Sequence, residues 1–378
     1  MSNMYTGVRR IRDAAMRQRC AERLVTMRAS LAPLRAKRKD SSILLATWNI
    51  RDLGSNKFNP AGRLDESFYY LAEVASCFDL IALQEVNQDL DDFERLVGIL
   101  GRNWNYLLTD TTEGSRGNGE RMAFLFNRDK VWFRNIAGEI VLPKGQLVVP
   151  ARAVRPPDEQ GSAERSLVPD LPTTKPEQME GQQFARTPFL VAFQAGWFRF
   201  NLCTVHIYYG KDSGQALQQR IGEIKALVSF FAKRHDKESK GVPPQQAENY
   251  VLLGDFNVVS PEHETMQALT AKKFRVPEQI DGAHLTDRNH FYDQIAVRVK
   301  DPRFKVTDGG ILDLYQDVFT DADLPLYADL VPKTPKNLSE LKRYQRWRTW
   351  QMSDHSPLWV EIETDFSDDY LRDISGAP

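Results

Sequence analysis

The chain reads Leu253-Gly-Asp255-Phe-Asn257 where an apolar run that begins at residue 250 comes to its end. A short apolar run that stops at a polar residue is typical of a buried strand whose tip emerges from a sheet. Glycine lets the chain turn sharply, and residues two apart on a strand point to the same side. The stretch therefore predicts that Asp255 and Asn257 lie side by side at a sheet edge.

Five other stretches end an apolar run on a residue that can hold a metal ion or move a proton. They are residues 44–51 with Asn49, 81–86 with Glu85, 119–126 with Glu120, 203–206 with His206, and 353–357 with Asp354 and His355. Strand tips that face one edge form a cleft. Oxygen ligands in such a cleft suit a divalent cation that acts on a phosphate ester, and the two imidazoles can transfer protons. Each residue alone is weak evidence, and their occurrence together carries the hypothesis.

Composition and charge allow a large soluble domain. The 378 residues are 42% hydrophobic and 27% charged, which is ordinary for a globular protein. The net charge of −1 hides a segregation, because residues 1–40 hold 11 Lys and Arg against 3 Asp and Glu and so carry +8. The rest of the chain carries −9. This acidic remainder argues against tight non-specific nucleic-acid binding by the main domain alone.

No targeting or membrane segment is visible in the sequence. The first forty residues lack the apolar stretch of a secretory signal, and nowhere do eighteen apolar residues run together. Cys20, Cys77 and Cys203 match no zinc spacing. We therefore expect a cytoplasmic protein with reduced thiols and no membrane span.

Strands and helices alternate along the chain, which indicates an α/β fold. We predict a basic amphipathic helix within residues 1–40, a catalytic domain over 41–365 with a proline-rich surface loop at 150–183, and a tail over 366–378. The helix carries an apolar stripe that begins Cys20, Leu24, Met27. The stripe favours packing on its own domain or self-association through a second copy. The alternative is that the basic side chains of this helix bind nucleic acid by electrostatic attraction.

A second basic segment, residues 338–350, precedes Asp354. It interleaves four cations with three aromatic rings, namely Lys342, Arg343, Arg346 and Arg348 with Tyr344, Trp347 and Trp350. Such a segment can grip a phosphate backbone and stack on bases. Alternatively, the tryptophans pack into the core while the cations stay solvated. The pattern alone leaves both interpretations open.

Taken together, the motifs resemble the endonuclease/exonuclease/phosphatase superfamily, and within it the deoxyribonuclease I branch. The resemblance spans about residues 42–365 and rests on Asn49-Ile50-Arg51, Gln84-Glu85-Val86, Glu120-Arg121 through Phe126, His206, Gly254 to Asn257, Tyr292-Asp293-Gln294-Ile295, and Ser353 to Pro357. It implies a four-layer α/β/β/α sandwich, to which this chain adds the N-terminal basic helix. It also implies a Mg²⁺- or Mn²⁺-dependent phosphodiesterase, most simply a nuclease.

The resemblance gives each matching residue a role. Glu85, with Asn49 and Asp354, corresponds to the metal site. Asp255 and Asn257 would meet the scissile phosphate, Asn257 as a hydrogen-bond donor. Two proton-transferring pairs would be His355 with Asp293 and His206 with Glu120, and Arg51 and Arg186 would bind substrate phosphates.

Departures from the family pattern bear on the substrate. Asn87 and Asn118 stand where secreted members have a duplex-gripping Arg and Tyr. This puts minor-groove nicking of duplex DNA in doubt. The alternative is a phosphomonoesterase or a lipid-headgroup or inositol-phosphate hydrolase, although residues 289–294 lack the Pro-Ala-Trp-x-Asp-Arg stretch of the inositol polyphosphate 5-phosphatases. A catalytically silent binding module is the third possibility, and it would be expected to have lost some of these residues.

Overall fold

A computed structural model describes residues 4–54, 59, 61–111, 119–148, 181–282 and 291–376. Predictions for Asn118, for residues 283–290 and for most of the 150–183 loop lie outside these ranges. The described chain begins with a 3-10 helix, Thr6–Arg10, and two helices, α1 (Ala14–Ser30) and α2 (Ala32–Arg35). The predicted long helix therefore ends at residue 30, because Pro33 suits only the first turn of a new helix.

The first half of the main domain alternates strands and helices. Its elements are β1 (Ser42–Leu53), α3 (Asp65–Ala75), β2 (Leu80–Val86), α4 (Asp91–Leu100), β3 (Trp104–Leu108), β4 (Arg121–Asn127) and β5 (Trp132–Glu139). The sequence predicts strands at 43–48 and 80–83, helices at 67–78 and 90–100, and further strands from 121 to 133. It does not predict β3, whose half-buried face gives no clear alternation, and β5 continues to Glu139, past the predicted end. Both β1 and β2 run past the predicted strand ends into the polar residues that form the site.

The second half adds the hairpin that the sequence predicted, followed by a long helix. Its elements are β6 (Phe189–Ala195), β7 (Phe198–His206), α5 (Gly214–Glu238), β8 (Tyr250–Val258), α6 (Glu264–Leu269), β9 (Phe291–Arg298), β10 (Val306–Ile311), α7 (Leu324–Tyr327), α8 (Glu340–Gln351), β11 (Leu358–Glu363) and α9 (Ser367–Ser375). Sequence reasoning missed β10, which contains two glycines, and assigned no helix where α7 and α9 lie.

Within the described ranges the strands form two mixed sheets. The first has the order β10-β11-β1-β2-β4-β3, and the second has the order β5-β6-β7-β8-β9. The inner faces pack on each other through apolar side chains such as Leu45, Phe193 and Val251. The outer face of the first sheet is covered by α1, α3, α4 and α8, and that of the second by α5 and α6. These four layers are the predicted α/β/β/α sandwich.

The N-terminal helix packs on its own domain. Cys20, Leu24 and Met27 are buried in the core cluster that includes α3. Arg19 forms an ion pair with the fully buried Glu66, at 2.6 Å. The apolar stripe is thus covered by this chain itself, and self-association through it stays a prediction.

The remaining sequence-based expectations concern thiols and membranes. Cys20, Cys77 and Cys203 are all buried and free, and burial raises the pKa of each thiol. Among the described residues, no helix combines the length and apolarity needed to cross a bilayer. The cytoplasmic location stays a prediction.

Candidate active site

Strand register in the second sheet places three of the predicted residues in one row. β7 and β8 run parallel with His206 opposite Asp255, and β8 and β9 run antiparallel with Asp255 opposite Asp293. Gly254 has φ 133°, and a Cβ there would lie 2.1 Å from the carbonyl oxygen of Val205. The glycine is therefore required by the close approach of β7 and β8, one residue from the site.

The first sheet brings Asn49 and Glu85 to the same edge. β1 and β2 run parallel with Asn49 opposite Gln84, and the amide of Asn49 donates to Glu85 Oε1 at 2.7 Å. The backbone N–H of Asp52 donates to the other oxygen of Glu85 at 3.0 Å. Asn49 Oδ1 accepts from the Arg51 N–H at 3.0 Å, so Asn49 turns its nitrogen and not its oxygen toward Glu85. In this arrangement Asn49 orients the carboxylate.

His355 and Asp293 form the pair that the resemblance implied. The distance from His355 Nδ1 to Asp293 Oδ2 is 2.6 Å. The hydroxyl of Ser353 accepts from the His355 backbone N–H and donates to the Asn49 carbonyl, which ties this loop to β1. Burial alone would lower the pKa of His355, but the Asp293 and Asp255 carboxylates outweigh it and raise the pKa well above its usual value.

His206 and Glu120 form the second pair. His206 Nδ1 lies 2.9 Å from Glu120 Oε2, and Arg186 Nε lies 2.9 Å from the same oxygen. Burial and Arg186 both lower the pKa of His206, yet the carboxylates of Glu120 and Asp255 leave it raised. The guanidinium of Arg186 is thus engaged with Glu120 in this structure, whereas the sequence assigned it to substrate.

The two pairs converge on Asp255. Its Oδ2 atom lies 3.6 Å from His206 Nε2, 3.9 Å from His355 Nε2 and 3.3 Å from the Asn49 amide nitrogen. Each imidazole therefore binds its own carboxylate through Nδ1 and presents Nε2 to one shared space. This is the geometry of two proton carriers on either side of a single reacting group.

The carboxylates near Glu85 suit a hard cation. Burial raises the pKa of Glu85, and the charges of Glu120 and Asp354 raise it further. The metal-ligating atoms of Glu85, Glu120 and His206 lie within 4.8 Å of one another. However, Glu120 in that trio is already engaged by His206 Nδ1 and by Arg186. Glu85 with Asp354 leaves both His–carboxylate pairs intact, and we prefer this set for that reason.

Arg51 stands at the mouth of the cleft beside α8. Its guanidinium lies 3.8 Å over the ring centre of Trp350, bonds to the hydroxyl of Thr349, and lies 3.3 Å from Asp354. The side chain of Asp354 is 45% exposed, so this pair faces solvent. Arg51 therefore lies where the sequence placed it, next to the proposed metal ligands.

The basic aromatic segment, residues 338–350, fits each of the two interpretations in part: some of its side chains pack into the core and others reach solvent. Tyr344 and Trp347 are buried in the core beneath α8. Arg348 bonds to Asp321 at 2.7 Å, which leaves it satisfied by its own domain. Lys342 and Arg346 are exposed and Trp350 is half-buried at the cleft. The segment is thus held by the domain through Tyr344, Trp347 and Arg348, and Trp350 is the member shown in contact with a candidate site residue, Arg51.

Asn257 departs from the simple strand rule. It has φ 52°, and the pairing of β8 with β9 shifts register between Asp255 and Val258. Its amide nitrogen donates to the Ile207 carbonyl at 2.8 Å, and its backbone N–H donates to Asp255 Oδ1 at 2.9 Å. One of its two amide N–H bonds is therefore used within the protein. Its predicted bond to a phosphate would use the other.

Aromatic residues that sequence reasoning did not assign line the site on the His355 side. The ring centres of Tyr292 and His355 lie 6.0 Å apart, and Tyr209 packs edge-on against Tyr292, also at 6.0 Å. Tyr292 directly precedes Asp293, so its position in that motif could have marked it. Tyr209 follows the end of β7 by three residues and could have been found only by applying the strand-tip rule to the loop.

Comparison with known proteins supports this fold. No family model matches the sequence, and no curated protein matches it in a sequence search. A mannosyl-6-phosphatase from Bacteroides thetaiotaomicron is similar in structure with a TM-score of 0.50 and 17% identity, over 85% of this chain and 99% of that one. At this identity the likeness shows the fold alone.

Two further solved structures match with lower TM-scores. An endonuclease/exonuclease/phosphatase family protein from Bacteroides thetaiotaomicron has a TM-score of 0.49 and 18% identity, over 86% of this chain and 96% of that one. TDP2 from D. rerio, complexed with a single-strand DNA product, has a TM-score of 0.46 and 16% identity, over 86% of this chain and 100% of that one. The chain therefore shares its fold with the mannosyl-6-phosphatase, and this fold is the α/β sandwich that the sequence predicted.

Proposed function

We propose that the protein is a divalent-metal-dependent phosphodiesterase and that it acts as a nuclease on DNA or RNA. The observation that supports this most is the convergence of His206 Nε2 and His355 Nε2 on Asp255 Oδ2, at 3.6 and 3.9 Å. Hydrolysis of a phosphodiester by in-line attack needs a base for water and an acid for the leaving oxygen on opposite sides of phosphorus. Two oriented imidazoles facing one space can provide both.

The carboxylates fix the proton chemistry of each imidazole. Glu120 and Asp293 each hold an Nδ1 atom, at 2.9 and 2.6 Å, which leaves Nε2 as the atom that exchanges a proton with the reactants. Both carboxylates also stabilise the imidazolium form, so one imidazole can take the proton from water while the other, already protonated, gives its proton to the leaving oxygen. The two pairs are chemically equivalent in this respect, and the acid and the base are left unassigned.

The proposed metal ligands are Glu85 and Asp354, with Asn49 holding Glu85 in place. When bound there, Mg²⁺ or Mn²⁺ would neutralise phosphate charge and polarise its oxygens. Asn257 and Arg51 would contact the same phosphate, Asn257 through its remaining amide N–H and Arg51 after releasing Asp354. Arg186 would act indirectly, through Glu120.

The cleft entrance favours an extended, base-bearing substrate over a small phosphate ester. Trp350 is half-buried, with the Arg51 guanidinium over one face of its ring, and Tyr209 beside Tyr292 is 38% exposed. Aromatic rings of this kind stack on unpaired bases. Asn87 replaces a duplex-gripping arginine and bonds to Asp52. Together these features favour single-stranded nucleic acid.

Phosphomonoester hydrolysis is the competing proposal, since a protein of similar fold is a mannosyl-6-phosphatase. The His206–Glu120 pair favours the diester, because the resemblance associates this second pair with the deoxyribonuclease branch. The two proposals differ in the substrate that is turned over fastest.

A substrate panel tests the proposal. Single-stranded DNA, duplex DNA, RNA, a small phosphodiester, a phosphomonoester and an inositol phosphate would be incubated with Mg²⁺ and with Mn²⁺, alongside the Glu85→Gln variant as a control for contaminating nucleases. We expect cleavage of a polynucleotide that EDTA abolishes and that the variant lacks. Turnover of a small phosphate ester alone would overturn the nuclease assignment, and full activity in EDTA would overturn the metal.

A further inference from the structure

Four non-glycine residues at the strand tips of this site have left-handed backbone. Arg51, Asp52, Glu85 and Asn257 have φ of 54°, 52°, 61° and 52°. Such a conformation is unfavourable for most residues that carry a side chain. Arg51 and Asp52 are consecutive, so two left-handed residues share a single turn. Contacts from elsewhere must therefore hold these turns in place.

Arg63 supplies those contacts for the turn after β1. Its Nη2 atom donates to the carbonyl oxygens of Ile50 and Arg51, at 2.8 and 2.6 Å, and its Nη1 atom reaches that of Asp52 at 3.4 Å. One guanidinium thus bonds to three successive carbonyls, including those of the left-handed residues Arg51 and Asp52. The turn it holds carries Arg51 and the backbone N–H that bonds to Glu85.

Arg220, on the buried face of α5, likewise bonds to backbone carbonyls at the strand tips of the second sheet. It is fully buried, its Nη1 atom donates to the Asn257 carbonyl at 3.0 Å, and its Nη2 atom donates to the carbonyls of Tyr209 and, at 3.0 Å, Lys211. Asp212 completes the set with an ion pair at 3.0 Å. Arg220 thereby ties the loop that follows His206 to the left-handed residue that follows Asp255.

We infer that Arg63 and Arg220 are positioning residues of the active centre, each holding the backbone turns that place the reacting side chains of one sheet. A planar guanidinium has five N–H donors in a fixed fork, so it can bond several carbonyls at once. A lysine keeps the charge but offers a single rotatable ammonium. The inference rests on the proposed hydrolase function for its kinetic readout.

Arg298 provides a matched control. It is also buried, and it bonds to the carbonyls of Lys272 and Ala232 at 2.9 and 3.3 Å and to Asp236 at 2.8 Å. It lies opposite Tyr250, at the end of β8 away from Asp255. The substitution Arg298→Lys therefore removes the same kind of carbonyl cluster without touching the strand tips.

The experiment compares Arg63→Lys, Arg220→Lys and Arg298→Lys. Thermal unfolding gives the Tm of each variant, and kcat and KM are then measured at a temperature well below every Tm. We expect kcat to fall roughly 10- to 100-fold in the first two with KM changed less than about threefold, since misplaced reacting groups lower the rate of an already bound substrate. Arg298→Lys should lower Tm and leave kcat unchanged.

Two results would overturn the inference. One is wild-type kcat in both Arg63→Lys and Arg220→Lys, and the other is an equal loss of kcat in Arg298→Lys. If Arg220→Lys fails to fold, Arg63→Lys decides alone, because Arg63 is less buried than Arg220. A wild-type protein without activity on any substrate of the panel would instead count against the proposed function, which keeps the two failures distinct.

Discussion

Two groups of carboxylates are buried in this molecule, and they differ in their partners. Beneath the N-terminal segment, Glu66, Glu73 and Asp79 are fully buried. Each has a guanidinium from that segment, since Arg19 lies 2.6 Å from Glu66, Arg38 lies 2.8 Å from Asp79, and Arg35 bonds to Glu73. These three of the eleven cations in residues 1–40 thus match buried carboxylates of the same domain.

The carboxylates of the cleft are matched less completely. Glu85, Asp255 and Asp293 meet imidazoles and amides. Burial raises the pKa of Asp293 to about 6, even though His355 opposes the shift, and burial likewise raises that of Glu85. A carboxylate whose charge is costly in the folded protein favours a proton or a cation beside it.

Structural and functional charges differ in what is lost when they are removed. A matched buried pair needs no further partner, so its loss lowers stability. An unmatched cluster in a cleft is stabilised by what binds there, so its loss lowers activity.

Glu85→Gln tests the cleft group. We expect turnover to fall on the order of a hundredfold or more, with only partial recovery in excess metal, because Glu85 gives the cation its full negative charge. Tm should stay the same or rise, because the substitution removes a half-buried charge that burial disfavours. Activity assays and thermal unfolding of the same preparation would measure both, and a large fall in Tm would place Glu85 with the structural group instead.

His206→Ala and His355→Ala test whether the two pairs act as one unit. Each substitution should lower kcat roughly a hundredfold, because each removes a proton carrier from the shared space at Asp255. The double variant should lose much less than the product of the two single losses. Wild-type turnover of a nuclease substrate by His206→Ala would mean that His206 has a structural role, and it would favour the phosphomonoester proposal.

The fold was predictable because its core strands share one sequence pattern. β1, β2, β7 and β8 are apolar runs that end in polar residues, and that pattern marks a strand buried on both faces. β3 and β10 were missed because each lies at a sheet edge, where neither face demands a clear pattern. The break between α1 and α2 followed from Pro33.

The sequence predicts which residues form the candidate site better than it predicts which of them bond to one another. Local motifs marked His206 and Asp255, but the engagement of Arg186 with Glu120 depends on a loop whose position no local pattern specifies. Arg63 and Arg220 were missed for a related reason, since their partners are backbone carbonyls that carry no side-chain signature. Arg220 does interrupt the apolar face of α5, and this is the one signal that the sequence offered.

Glu66→Gln tests the matched group and mirrors the Glu85 variant. Glu66 accepts from Arg19 and also from Tyr70 and Tyr327, at 3.0 and 3.1 Å. A neutral amide loses the charge and one acceptor, so we expect the free energy of unfolding to fall by about 2 kcal/mol. The kcat of the folded protein should not change. Denaturant titration gives the first quantity, and a lower kcat at full folding would contradict the division into two groups.

His235 is a buried titratable group of a third kind, which has no opposite charge bonded to it among the described residues. It is fully buried on α5 and packs against the ring of Tyr250, with 5.4 Å between ring centres. Burial lowers its pKa to about 4, and the charges of Arg298 and Lys300 contribute, against opposing effects of Asp236 and Glu238. The folded protein therefore keeps this imidazole neutral.

The consequence is a loss of stability in mild acid. Between pH 6.5 and 4 the unfolded chain binds a proton at His235 that the folded protein excludes, so stability is full above about pH 6.5 and falls as the pH approaches 4. From pH 7 to 5.5 this should remove about 1 kcal/mol. In His235→Phe, which keeps the ring and cannot titrate, the difference from wild type should shift by that amount over the same range. Because the other histidines are common to both proteins, their contributions cancel in this difference. Denaturant titrations at pH 7 and 5.5 would measure it, and an unchanged difference would mean that His235 gains a proton without cost in the folded state.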